Sequence, residues 1–241
     1  AREQLAWRKG VASMIVHKVI DCEHPPMIAD RDRVRGAIGL KDDDLLILQP
    51  TRVVPRKGIE HAITVVARLN DPRCRLVISH ESGDEGDTYL NALMDSAREA
   101  GVDLRLVRTE VPDVVDGVAQ PCTGDSVSLW ELYSSADLVT YPSLYEGFGN
   151  ALLEAFYFRV PVLVNRYSIY IQDIEPRGFS TIAMDGFITA DVVDQVREIL
   201  SNESLRREMV DRNYEQATRY YSYAILRRRL QTLMINVMGL D

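Results

Sequence analysis

Leu138-Val-Thr-Tyr-Pro-Ser-Leu-Tyr-Glu-Gly-Phe-Gly-Asn-Ala-Leu-Leu-Glu-Ala-Phe-Tyr-Phe-Arg-Val-Pro-Val-Leu-Val164 is the stretch that decides the fold. Leu138–Tyr141 reads as a strand buried on both faces, because a continuous apolar run leaves no polar side for water. Val160–Val164 reads the same way. Asn150–Phe158 between them reads as a helix. Two neighbouring strands joined through a helix run parallel, with a right-handed crossover. The loop before the helix holds Glu146 beside Gly147 and Gly149, and Glu154 stands eight positions on, within the helix. Glycine lets backbone approach a ligand closely, and a first helical turn offers free N–H groups to an anion. Open sheets of this type bind ligands at the carboxyl ends of their strands.

The pattern extends outward in both directions. Leu45–Gln49 is a buried strand, followed by a loop containing Arg52, Arg56, Lys57 and Gly58. Ile59–Leu69 carries Ile59, Ala62, Ile63, Val66 and Leu69 at helical spacing. Leu76–Ser79 and Leu104–Val107 are expected strands, and Tyr89–Ala100 is a helix ended by Gly101. Thr109–Val127 holds Pro112, Gly117, Pro121 and Gly124 and is long for a structureless connection, so a functional or mobile loop is expected. Ser128-Leu-Trp-Glu131 is a capping box that opens a helix to about Ser135. A further strand is expected at Ser180–Ala183, then helices at Ala190–Leu200, Leu205–Tyr220 and Tyr223–Val237. Near the start, the apolar scatter from Leu5 to Val19 suits a helix, Pro25-Pro26 breaks it, and Asp32–Ile38 is a short helix closed by Gly39. Strands alternating with helices give an α/β fold with one doubly wound parallel sheet, Rossmann-like. Residues 1–40 form an N-terminal helix and linker, 41–200 the core, and 201–241 C-terminal helices packing on it.

The 241 residues fit one large α/β domain. A net charge of −8 argues against broad nucleic-acid binding, yet leaves room for a small anion held by a few local bases. Cys22, Cys74 and Cys122 are scattered without C-x-x-C spacing, which argues against a zinc site. Their odd number suits a reducing, cytoplasmic setting. No apolar run approaches a membrane span, and no signal-peptide pattern opens the chain. Its start, Ala1-Arg-Glu-Gln, lacks Met and reads as a processed form or a piece of something longer.

Three loops at the expected carboxyl edge carry the chemistry. Thr51–Gly58 supplies Arg52 and Lys57, cations suited to a diphosphate. It is not a P-loop, because G-x-x-x-x-G-K-[ST] is absent. Ser79–Gly86 begins with His80, a secondary candidate. Glu146–Glu154 supplies carboxylates able to accept from sugar hydroxyls, while the cations take up charge on a departing phosphate. Trp7 and Trp130 read as packing residues, Tyr220, Tyr221 and Tyr223 as a helix junction, and Arg227-Arg-Arg229 as a solvated face. His17, His24 and His61 have no partner visible in the sequence.

Val53–Gly58 with its Arg-Lys-Gly, the run Ala136-Asp-Leu-Val-Thr-Tyr-Pro-Ser143, and Glu146–Glu154 together resemble the retaining glycosyltransferases of GT-B fold. The nearest group is the large family 4, glycosyl transferases group 1, which includes sucrose-phosphate synthases and many mannosyl- and glucosyltransferases. The resemblance runs from about Leu45 to Val237. The carboxylates match the family's E-x7-E motif. It implies the C-terminal, donor-binding half of such an enzyme, with the acceptor-binding half lying before residue 1. It assigns Arg52 and Lys57 to the donor diphosphate, Glu146 to the transferred sugar, and Glu154 to the ribose hydroxyls. The backbone of Gly147, Phe148, Gly149 and Asn150 would contact sugar or phosphate, so the groups assigned to chemistry are Glu146, Lys57 and Arg52.

The resemblance also implies no cofactor and no metal. The donor would be a nucleotide-diphospho-sugar of uridine, guanosine or adenosine. The acceptor would be a hydroxyl of a sugar, lipid-linked sugar or small polyol, and the longer protein could lie at the inner membrane face. The sequence departs from the family at Arg159, where glycine is usual, at Ser79-His80, and at residues 165–175, which replace a glycine-rich loop. A non-catalytic nucleotide-sugar-binding module is the alternative. A dinucleotide-dependent dehydrogenase is disfavoured, since G-x-G-x-x-G is missing after the first strand. The chain is expected to fold alone and, without an acceptor half, to transfer little.

Overall fold

Runs of apolar residues with no polar alternation become the strands of a parallel sheet. The computed structural model describes residues 7–10, 16–22, 29–79, 87–112, 114–115 and 118–238. Its strands are β1 (Leu45–Gln49), β2 (Cys74–Ile78), β3 (Leu104–Leu106), β4 (Val114–Val115), β5 (Val118–Ala119), β6 (Leu138–Tyr141), β7 (Val162–Asn165) and β8 (Ile182–Met184). Its helices are α1 (Arg31–Ala37), α2 (Ile59–Leu69), α3 (Asp87–Glu99), α4 (Leu129–Ser135), α5 (Asn150–Tyr157), α6 (Ala190–Ser201), α7 (Glu203–Tyr221) and α8 (Tyr223–Met238). Six strands form one sheet in the order β3-β2-β1-β6-β7-β8, and every neighbouring pair is parallel. This is the doubly wound α/β fold read from the sequence. Winding reverses between β1 and β6, where Leu48 lies opposite Val139. Such a reversal opens a crevice at the carboxyl edge of the sheet.

Alternation along the strands builds two cores. Ile47, Leu76, Ile78, Leu138 and Leu163 face one side and pack with Ile63 of α2, Leu93 of α3 and Val196 of α6. Leu46, Leu48, Val77, Val139 and Val162 face the other, against Leu132 of α4, Leu153 of α5 and Ala217 of α7. Each such Val, Leu or Ile side chain contributes about 1.5–3 kcal/mol on burial, so both faces resist opening. The capping box is present: Ser128 Oγ accepts from Glu131 N–H and Glu131 Oε2 accepts from Ser128 N–H.

Several expectations are corrected. The strand expected at Val160 begins at Val162, because Val160 N–H closes the end of α5 on Ala155 O at 2.9 Å. Residues 16–20 are not helical. Ile20 instead bridges Ser222 and donates its N–H to Tyr221 O at 2.8 Å. The 109–127 segment contains the antiparallel pair β4–β5 and a bridge from Glu110 to Ser128. Trp7 is 90% exposed, while Trp130 is half exposed against Phe158. Tyr220, Tyr221 and Tyr223 do mark a helix junction, at Ser222 between α7 and α8. α7 packs through Met209, Val210, Asn213, Ala217 and Tyr221. α8 leaves the body: Leu230, Leu233, Met234, Ile235 and Val237 are exposed. No helix among the described residues is long and apolar enough to cross a membrane.

Candidate functional site

The loops after β1 and β6 lock together through backbone. Pro55–Lys57 forms a 3-10 turn, and Gly58 follows at φ 61°, the left-handed region. A Cβ at Gly58 would stand 2.5 Å from the Pro142 carbonyl oxygen, so only glycine fits. Leu144 N–H donates to Arg56 O at 2.9 Å. Beneath them a buried polar chain ties the strand ends, with Thr140 Oγ1 donating to Gln49 Oε1 at 2.7 Å and Gln49 Nε2 donating to Thr51 Oγ1 at 2.8 Å. These contacts carry Lys57 and Glu146 to the same point across the switch.

Lys57 Nζ donates to Glu146 Oε1, and Arg56 Nη1 lies 3.3 Å from Glu146 Oε2. Both the Lys57 and Glu146 side chains are about nine-tenths buried. Burial raises the Glu146 carboxyl, but the hydrogen bonds and charge of its neighbours, Lys57 foremost, outweigh it and leave the pKa below the ordinary value. Burial lowers the Lys57 pKa, and Arg56 and Arg52 push it the same way. The pairing with Glu146 only partly restores it. Arg52 itself is exposed. The Lys57 ammonium also lies 5.5 Å from the centre of the Tyr141 ring. Ser143 Oγ is buried near enough to lower Glu146 further, yet makes no hydrogen bond of good geometry. Lys57 and Arg56 thus share the one carboxylate of Glu146, with Arg52 close enough to act on Lys57.

The N-terminus of α5 lies at the end of the same loop. Gly149 is its N-cap at φ 124°, with no side chain capping the first turn. Tyr167 Oη donates to Phe148 O at 2.7 Å and would stand 2.5 Å from a Cβ at Gly149. Phe148 is half-buried against His17 and Tyr221, with ring centres 5.2 and 5.3 Å away. Gly147 and Asn150 are exposed. Glu154 is not part of the Lys57 cluster. It accepts from Tyr133 Oη at 3.1 Å on the α4 side, and burial raises its carboxyl pKa despite that bond. His80 lies outside the described residues.

Sequence reading thus singled out Lys57 and Glu146, which the structure brings into contact, and left out Arg56, Tyr141 and Tyr167 as site residues. Arg56 adjoins Lys57 in the Arg-Lys-Gly run, so a signal for it existed. Tyr167 had none, since its contact depends on how the 165–175 segment folds into a π-turn at Tyr170–Ile174. Arg159, the position where the resemblance led glycine to be expected, adopts φ 55°, a left-handed conformation that glycine takes without strain. Among the described residues no group of three or more His, Cys, Asp or Glu side chains is placed to hold a metal ion.

Comparison with known proteins gives a consistent kinship. Residues 122–216 match the family described as glycosyl transferases group 1. The chain is 28% identical over 251 residues to mannosylglucosylglycerate synthase of Thermotoga maritima, covering 92% of this chain and 56% of that protein. It is 32% identical over 205 residues to the Petrotoga mobilis protein of the same name, covering 76% and 46%. The chain therefore spans about half the length of the curated relatives it matches. Its fold is shared with HepE of Anabaena, solved in complex with UDP-glucose, at a TM-score of 0.76 and 12% identity over 97% of this chain and 61% of that one.

Proposed function

We propose, from the match of residues 122–216 to glycosyl transferases group 1 and the fold shared with HepE, that the chain binds the sugar nucleotide from which a retaining transferase moves a hexosyl group to a hydroxyl acceptor. The diphosphate lies against Lys57, Arg52 and the uncapped start of α5. Glu146 and the backbone of Gly147, Phe148 and Gly149 face the sugar, and Asn150 opens the helix beside them. Glu154 takes the ribose hydroxyls. As the sugar–phosphate bond breaks, an oxocarbenium-like centre forms and negative charge grows on the diphosphate. Fixed cations and helix N–H groups stabilise that charge without reorganising. The acceptor hydroxyl approaches from the face the diphosphate leaves, which retains configuration. The reading gives the charge on phosphate to side chains rather than to a metal.

The observation that carries this is the meeting of Lys57, Arg56 and Glu146 across the switch point. The names of the relatives and the UDP-glucose complex of HepE point the same way. The chain spans about half the length of its relatives, and this reading gives it the donor and not the acceptor, so transfer by residues 1–241 alone is expected to be slight. A thermal-shift series over UDP, GDP, ADP and their glucose and mannose conjugates tests the reading. A ligand at a hundred times its Kd adds about 2.7 kcal/mol, or roughly 5 °C or more. Lys57→Ala should cut that affinity by roughly ten- to a hundredfold. No shift with any nucleotide at millimolar concentration would overturn the proposal.

A further inference from the structure

Arg56 and Lys57 meet on one carboxylate, Glu146, and Arg52 lies close enough to act on Lys57. That carboxylate engages two of them at once, Lys57 through Oε1 and Arg56 through Oε2. Arg56 is half-buried, lies over the Tyr145 ring at 5.7 Å, and has its main chain pinned by Leu144 N–H. It is therefore held in the crevice rather than waving in solvent. A phosphate oxygen and a carboxylate oxygen ask the same thing of a cation: a short, charge-assisted hydrogen bond. They cannot both take it from the same face of Lys57.

We propose that Glu146 competes with the donor diphosphate for Lys57 and Arg56, so that Arg56 is a further diphosphate-binding residue and the arriving diphosphate releases the Glu146 carboxylate to the sugar's hydroxyls. The inference rests on the sugar-nucleotide reading above. It turns the carboxylate into a gate on the order of contacts. A diphosphate without a sugar must break the Glu146 contacts and gains nothing from the freed carboxylate. A sugar nucleotide recovers that loss through its hydroxyls. The site thereby discriminates against free nucleoside diphosphate, which is the product, in favour of the donor.

The test is calorimetric titration of the 241-residue chain with UDP, GDP, ADP and inorganic pyrophosphate, then with the sugar conjugate of whichever nucleotide binds. It is run at about pH 6.5, on the acid side, which favours the ammonium of Lys57 once the carboxylate that supports it is lost. Glu146→Gln should bind nucleoside diphosphate about tenfold more tightly than wild type, because no intramolecular competitor has to be displaced. For the sugar conjugate the gain should vanish or reverse. Adding Arg56→Ala should remove most of the gain. Glu60→Gln, which takes a charge from the start of α2 without touching Lys57, should change affinity by less than about twofold. Glu146→Ala repeats the experiment should the amide itself distort the crevice, and near-UV circular dichroism checks that each variant is folded. Equal or weaker binding of nucleoside diphosphate by both Glu146 variants would overturn the competition while leaving the donor site standing. An unchanged affinity on adding Arg56→Ala would remove Arg56. Binding of no nucleotide and no pyrophosphate by any of the proteins would overturn the donor reading and this inference with it.

Discussion

Replacing Gly149 by Ala should damage the start of α5. At φ 124° and ψ 64°, Gly149 occupies backbone space that L-residues rarely enter. Holding alanine there costs about 1–3 kcal/mol. The new Cβ would also stand 2.5 Å from Tyr167 Oη, while Leu152 and Tyr141 atoms at 3.6 Å give ordinary contact. Tyr167 is 2% exposed and its hydroxyl holds Phe148 O, so it cannot swing aside freely. Such overpacking costs a further 1–3 kcal/mol or so. The expected total is about 3 kcal/mol, or a fall in Tm of roughly 6–12 °C for a chain of this size. Tyr167→Phe alone loses one hydrogen bond, about 1 kcal/mol. It also removes the atom the methyl strikes. Gly149→Ala in the Tyr167→Phe background should therefore cost about 1 kcal/mol less than the two changes summed. Urea unfolding of the four proteins measures this, provided the m-values agree. Strict additivity, or a Gly149→Ala cost below about 1 kcal/mol, would show that Tyr167 does not buttress the start of α5.

Arg159 holds φ 55° while pairing with Asp211 and lying 4.1 Å from the Tyr214 ring centre. Arg159→Ala loses those contacts and keeps the strain, whereas Arg159→Gly sheds both, so the glycine variant should be the more stable by about 1 kcal/mol in urea unfolding. An alanine variant at least as stable as the glycine variant would contradict this. Burial raises Glu154 above its unfolded pKa, so its charge destabilises the fold above the folded pKa, and that cost fades as pH falls towards about 4. Glu154→Gln should stabilise the chain at pH 7.5 and give no gain near pH 4. Glu146 is depressed instead, so its contribution has the opposite sign: present at neutral pH and lost in acid. Asn213 is fully buried and clamps Ser180, accepting from its N–H at 2.7 Å and donating to its carbonyl at 2.6 Å. Asn213→Ala strands both partners and should cost about 2–3 kcal/mol in the same assay, with less than about 1 kcal/mol refuting the clamp.

The sheet was legible because its strands are buried on both faces. Leu45–Gln49 and Leu138–Tyr141 show only apolar or hydrogen-bonded side chains to their neighbours, and such runs stand out in a chain with a net charge of −8. The capping box at Ser128 was legible because its bonds are local. What failed was non-local. Nothing near Ile20 in sequence announces that it pairs with Ser222, so an apolar scatter there passed for a helix. Leu230, Leu233 and Val237 carry helical spacing whether or not anything covers them, and spacing alone could not separate those cases. Lys57 and Glu146 were picked individually. That they touch follows from β1 and β6 being neighbours in the sheet, which only the strand order provides.

The 165–175 segment after β7 has a structural consequence of its own. Asn165, at the end of β7, donates to Ser143 O at 2.9 Å and accepts from Gly186 N–H at 2.9 Å, which staples the β6 loop to the turn after β8. Arg166 pairs with Glu175 across the segment, and Tyr170 Oη meets Thr181 Oγ1 at 2.6 Å. Tyr167 then lies under Gly149. A glycine-rich loop would reach a ligand with backbone. This segment reaches the β6 loop and the start of α5 with side chains instead, and holds both from behind. On the proposed reading, selectivity for the sugar then falls on the backbone of Gly147, Phe148 and Gly149 and on Glu146. The 165–175 segment sets how far those groups can yield.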